Sequence, residues 1–175
     1  ILAGDHLGPL TWQNLPETEA MEKSETLVYQ YARAGFTKIH LDTSMKVADD
    51  PEGLLSTETI ARRGATLYKA AMKGYEDLKA EKPDAMRPVF VIGSEVPIPG
   101  GAQEAEDTLA VTKPEAFRDT VATYRRVFKE EGIEYTIRQI DTYRALGVEG
   151  IHLYALNKWK DVSEIINRSG LRTLV

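Results

Sequence analysis

A chain of 175 residues, 42% of them hydrophobic, is long enough to bury a core of its own, and its lack of cysteine excludes disulfides, thiolate metal sites and cysteine nucleophiles. Its net charge of −5 and pI near 5.3, with the pairs Arg62-Arg63 and Arg125-Arg126 set beside acidic residues, argue against a nucleic-acid partner. No apolar run is long enough to span a membrane and no basic, apolar leader opens the chain, so the expectation is a cytoplasmic protein with no membrane partner.

The chain opens with Ile1 already inside a strand pattern, Ile1 to His6, as a fragment would. A first helix is predicted from near Pro16, with Ala20, Ser24, Leu27, Val28 and Tyr31 on one stripe and a stop at Gly35. A second strand runs from Lys38 to Asp42. The second helix starts at a Ser56 or Thr57 cap, turns Ile60, Leu67, Ala71, Tyr75 and Leu78 inward, and ends before Pro83. A third strand, Val89 to Glu95, precedes a helix with a capping-box signal in Thr112 and Glu115, a stripe of Phe117, Val121, Tyr124 and Phe128, and a stop at Gly132. A separate helix over 134–146 is expected next, burying Ile137 and Ile140 against the sheet and closed by Gly147. The strand Gly150 to Tyr154 and a helix over 160–169 with Val162, Ile165 and Ile166 inside complete the pattern, and residues 171–175 could add an edge strand.

Short apolar strands alternating with helices predict an α/β fold with a parallel sheet. Four strands are half of an eight-unit TIM barrel, which needs about 250 residues. The expectation is therefore one α/β domain over 1–175: a four-stranded half-barrel that closes as a homodimer, with an open flavodoxin-like sheet as the alternative.

All three histidines fall near the carboxyl ends of predicted strands, where parallel α/β folds build their sites. Strand parity puts His40, Asp42 and Ser44 on one face, opposite Ile39, Leu41 and Thr43. The same parity joins His152 to Tyr154. Imidazole and carboxylate at such tips suit a divalent metal or a phosphosugar, with a second carboxylate to move protons. Each residue also has a plainer role. Asp5 and His6 could hydrogen-bond loop backbone, His40 could be a buried neutral histidine, Asp42 could cap its loop, and Glu95 could anchor the Val-Pro-Ile-Pro-Gly-Gly turn. Asp49-Asp50-Pro51 reads as a turn before it reads as a metal site, and Gly100-Gly101 is a weak phosphate signal. No G-x-S-x-G elbow, P-loop or G-x-G-x-x-G occurs.

Three longer segments carry a resemblance: Ile-Leu-Ala-Gly-Asp5-His6-Leu-Gly-Pro, then Ala-Gly-Phe-Thr-Lys-Ile-His40-Leu-Asp42-Thr-Ser-Met with Ala48-Asp49-Asp50-Pro51, then Val-Ile-Gly-Ser-Glu95-Val-Pro-Ile-Pro-Gly-Gly. Over residues 1–132 the chain resembles the accessory (Z-type) subunit of tagatose-1,6-bisphosphate aldolase, a family also labelled tagatose-6-phosphate kinase. The resemblance implies a class II aldolase-like (β/α)8 barrel in carbohydrate metabolism that supports a catalytic aldolase subunit. It also implies His6 as an ancestral zinc ligand, with Asp5, Asp42 and Glu95 as ancestral catalytic carboxylates. The other histidine ligands of class II aldolases lie on later strands, so no bound zinc is expected unless an aldolase-like site survives. Residues 134–175, through Gly-Ile-His152-Leu-Tyr154-Ala-Leu-Asn157, resemble the last unit of methylenetetrahydrofolate reductase, without its flavin or folate residues. The two resemblances together imply a recombined or designed chimera with no complete active site. An accessory or binding subunit and a weak metal-dependent aldolase are the alternatives.

Overall fold

The computed structural model describes residues 2–92, 114–148, 151, 153 and 158–171. In chain order the elements are β1 (Ala3–Leu7), a 3-10 turn (Pro9–Trp12), α1 (Glu17–Arg33), β2 (Lys38–Leu41), α2 (Thr57–Glu81), β3 (Val89–Ile92), α3 (Pro114–Ala145) and α4 (Trp159–Ser169). Among the described residues no helix is long and apolar enough to cross a membrane. The chain separates into two compact units, Ile1–Arg125 and Arg126–Val175, with the boundary inside α3.

In the first unit a parallel sheet has the order β1-β2-β3. The sheet is open among the described residues and has three strands there. Of the fourth predicted strand only Ile151 and Leu153 are described. The consecutive order differs from the flavodoxin-like alternative, in which the first strand lies between the second and third. Alternation along β2 sends Ile39 and Leu41 into a core where they are 0% and 1% exposed, and Leu7, Met21, Val28, Ala32, Leu67, Ala71 and Tyr75 complete that core. Both α1 and α2 thus cover one face of the sheet. They approach closely at Gly74, where a Cβ would stand 2.3 Å from the Tyr29 carbonyl oxygen.

The helix starts have different causes. Ser56 Oγ accepts from the Thr59 amide at 3.1 Å and caps α2 as expected. At α1, Pro16 offers no side-chain acceptor, and Asp49 Oδ1 accepts from the Glu17 amide at 2.7 Å. The Asp49-Asp50 turn is thereby committed to the scaffold, in line with its plainer reading.

The expected break at Gly132 does not occur, and α3 continues through it to Ala145. A glycine inside a helix costs only about 1 kcal/mol relative to alanine, and burial of Val127 before the expected break and of Ile133 and Ile140 after it offsets that cost. It is Gly147, at φ 78°, that follows the helix end. The expected stripe at the start of α3 is also revised: Tyr124 is buried, whereas Phe117 and Val121 are exposed.

The second unit is built on Ile133, Ile140 and Ile165, with Ile137, Ile151, Leu153 and Leu171 packed against them. Ile140 is buried as expected, and its cluster includes α4 through Ile165. Arg168 of α4 joins Glu130 of α3 at 2.6 Å and also pairs with Glu134, while Arg144 Nη1 donates to the Ser169 carbonyl at 2.6 Å.

Candidate functional site at the strand tips

The β1–β2 ladder pairs Ala3 with Lys38 and Gly4 with Ile39, then Leu7 with Leu41, so Asp5 and His6 together stand opposite His40 alone. This is a β-bulge. On a regular strand Asp5 and His6 would point to opposite faces. The extra residue, with His6 at φ 50°, returns Leu7 to the core and leaves both Asp5 and His6 exposed. A left-handed non-glycine residue costs on the order of 1–3 kcal/mol, and such strain concentrates at functional positions.

Three polar groups result from this bulge. The Asp5 Oδ1 lies 2.5 Å from Lys38 Nζ and 3.4 Å from His40 Nδ1, and the His6 and His40 rings meet at 4.6 Å between centroids, tilted by 54°. One donor atom from each of Asp5, His6 and His40 lies within 4.8 Å of the others. The hydrogen bond from Lys38 is the main influence holding the Asp5 carboxyl below its ordinary value of 3.8; desolvation opposes it, and the Lys38 charge and His40 add to the lowering. Asp5 is therefore a carboxylate at neutral pH. The set of two imidazoles and one carboxylate is a donor combination that zinc and related divalent ions accept.

Asp42, at the adjoining tip, is engaged differently. It is 7% exposed, and its Oδ1 accepts from the Ser44 amide at 3.2 Å and the Ser44 hydroxyl at 2.7 Å, closing the loop that follows β2. Its amide donates to the Leu7 carbonyl at 2.9 Å. A Cβ on Gly8 would stand 1.7 Å from the Asp42 carbonyl oxygen, so the two tips run backbone against backbone. Burial, and secondarily the Asp42 charge, pushes the Tyr124 phenol up to about 12. Glu95, His152 and Tyr154, together with Ser94 and Gly100-Gly101, lie outside the described residues.

Sequence reasoning found Asp5 and His6 as a pair and weighed a strand-tip role for His40 against that of a buried, hydrogen-bonded histidine; the structure has it 17% exposed with Nδ1 3.4 Å from Asp5. The parity argument had already put His40 on the polar face; the missing element was the bulge. Reasoning from sequence also passed over Arg63, whose side chain is 0% exposed and donates to Asp50 at 2.7 and 2.9 Å and to Glu17 at 2.7 Å. The signal was its place on the inward stripe of Ile60, Leu67 and Ala71, where a cation needs buried carboxylate partners.

Comparison with known proteins shows the family. A model described as D-tagatose-1,6-bisphosphate aldolase subunit GatZ/KbaZ-like matches residues 1–170, across the junction expected near residue 134. The crystal structure of a probable tagatose 6 phosphate kinase from Sinorhizobium meliloti 1021 is 32% identical in sequence with a TM-score of 0.58, over 96% of this chain and 38% of that one. The chain thus spans well under half the length of that relative. With a single family model matching nearly all of its length, the chain belongs to the GatZ/KbaZ-like family of D-tagatose-1,6-bisphosphate aldolase subunits.

Proposed function

We propose that this chain acts as part of an accessory subunit, supporting a catalytic class II aldolase partner in the cleavage or formation of a ketose bisphosphate such as tagatose 1,6-bisphosphate. The observation that carries this reading is that both described carboxylates expected to be catalytic are already engaged. Asp5 is held ionised by Lys38, which suits a charge partner better than a proton donor, and Asp42 is turned into its own loop by Ser44. Among the described residues β1 and β3 each pair on one side only, and Val89, Val91 and Ile92 of β3 are exposed. An open, apolar parallel edge favours association. The consecutive strand order with both helices on one face favours a barrel-type arrangement, completed by further strands or by a second copy of the chain.

Two measurements test this. The full chain, mixed with a class II ketose-bisphosphate aldolase catalytic subunit, should form a complex whose mass is read by light scattering. The complex should cleave tagatose 1,6-bisphosphate faster or for longer than the catalytic subunit alone. Absence of a complex overturns the reading, and so does cleavage by this chain alone that disappears in Asp5→Asn. Measured by itself, the chain would scatter as about twice 19.5 kDa if a second copy closes the barrel.

A second reading, in which residues 134–175 descend from a reductase barrel, is favoured by the division into two units at Arg125 and Arg126. The family match through residue 170 favours a single lineage. Stoichiometric flavin binding by the purified chain would reverse that preference.

A further inference from the structure

We infer that Arg63, Glu17 and Asp50 form a latch that makes the segments following β1 and β2 one cooperative body, so that the surface at these two strand tips opens or closes as a whole. This goes beyond the accessory role, and none of its readouts requires a catalytic partner. The segment after β1 runs from Gly8 through the 3-10 turn to Glu17, the first residue of α1, and the segment after β2 runs from Asp42 to the Ser56 cap. Arg63, in the second turn of α2, reaches both. Its Nη1 and Nη2 donate to the two oxygens of Asp50 at 2.9 and 2.7 Å, and Nη2 also donates to Glu17 Oε2 at 2.7 Å. Arg62 holds the other Glu17 oxygen at 2.6 Å. Three backbone amides are tied by the same closure. Ala48 donates to the Leu15 carbonyl at 3.0 Å and Glu17 to Asp49 Oδ1 at 2.7 Å, both across the two segments. Val47 donates at 2.8 Å to Asp50 Oδ2, on the carboxylate that Arg63 holds.

The all-or-none character follows from burial. The Arg63 side chain is 0% exposed and that of Asp50 5%, so a half-made set would leave a buried charge unpaired, which is strongly unfavourable. Intermediate arrangements are thereby excluded, and the segments are joined by the whole set or released together. Maximal stability is not what the set supplies. Arg63 Nε is buried without a hydrogen-bond partner among the described residues, and well-packed apolar side chains of similar volume stabilise such a position as well or better. What the ions supply is a single permitted arrangement of the two segments. Beyond the latch the loop changes character: Gly53, at φ 86°, has nothing within 4 Å of where a Cβ would stand, and Leu54 is 90% exposed. The latch thus fixes residues 47–50 and leaves Gly53 and Leu54 outside it. Since Gly8 lies directly against the Asp42 backbone, the strand-tip surface is shaped before any partner arrives.

The test is residue-resolved hydrogen exchange of the full chain by NMR, with the core amides of Ile39 and Leu67 reporting global unfolding. In wild type the Glu17, Val47 and Ala48 amides should share one protection factor, below that of the core. Glu17→Ala should speed exchange at Val47 and Ala48, in the opposite segment, by about tenfold or more, the ratio that loss of one charge-assisted hydrogen bond amounts to. Glu17→Gln, which keeps an acceptor, should recover part of that loss. Asp50→Asn should in turn speed the Glu17 and Ala48 amides by a common factor, and Arg63→Met should speed all three. The Leu54 amide should keep its wild-type rate in every variant. Acceleration confined to the segment that carries the substitution overturns the latch. So does equal acceleration of Ile39 and Leu67, which would make the opening global. Should Arg63→Met fail to fold, the two carboxylate variants decide the question by themselves.

Discussion

The two units bury polar groups in different ways. In residues 1–125 the helices cover an apolar sheet face, while an arginine with no exposed surface is closed in by two carboxylates and a strained bulge brings ionisable groups together at the strand tips. Among the described residues of 126–175 the buried positions are Val127, the clustered Ile133, Ile140 and Ile165, and Ser169, and the described charges pair where solvent reaches them. Among the described residues the first unit buries ionised groups, whereas the second, of its polar residues, buries only the small Ser169. Chemistry in this chain should therefore belong to the first unit, and the two should respond differently to substitution.

The largest effect is expected at Arg63. Arg63→Ala strands Asp50, whose side chain is only 5% exposed, and should cost about 3–5 kcal/mol in denaturant unfolding. The same substitution changes the acid limb of stability. Burial by itself would raise the Glu17 and Asp50 carboxyls, but hydrogen bonds and charge from Arg63, joined by Arg62 at Glu17, outweigh it and hold both below their ordinary values of 4.5 and 3.8. A depressed carboxyl stabilises the fold above its ordinary value, and that contribution is lost as pH falls through the lower folded value. Wild type should thus lose stability as pH drops below about 4, and Arg63→Ala should show a flatter loss. A wild-type acid limb no steeper than that of the variant would remove the contrast with the second unit.

Next comes Ile140→Ala, expected to cost about 2–4 kcal/mol, because Ile140 is 1% exposed within a small apolar cluster. If residues 126–175 owe their order to that cluster, amide exchange should accelerate there first. A loss below about 0.5 kcal/mol would show that the cluster is not what holds this unit.

The smallest effect is expected at Arg168, despite its three carboxylate neighbours. Its side chain is 36% exposed and those of Glu130, Glu134 and Glu164 are at least as open, so Arg168→Ala should cost only about 0–1 kcal/mol and the effect should shrink in added salt. A cost approaching that of Arg63→Ala would mean that exposed and buried ion networks are equivalent here, and the comparison between the units would fail.

The amino-acid sequence by itself determined the periodic features. The faces of β2, the inward stripes of α1 and α2, the Ser56 cap and the parallel α/β class all follow from residue spacing, since each is a local pattern with a repeat of 2 or 3.6. The three motifs that carried the family resemblance were legible because each is an unbroken run of residues in the sequence. Tertiary structure alone decided the rest. The bulge at Asp5 and His6 exists because β1 must stay in register with β2, whose residues lie more than thirty positions further on, and no local preference would place a histidine in the left-handed region. The burial of Arg63 depends on carboxylates from the start of α1 and from the loop after β2. Gly132 reads as a helix stop until Ile133 and Ile140, which follow it, find a partner in Ile165 of α4, and their burial outweighs what one glycine costs.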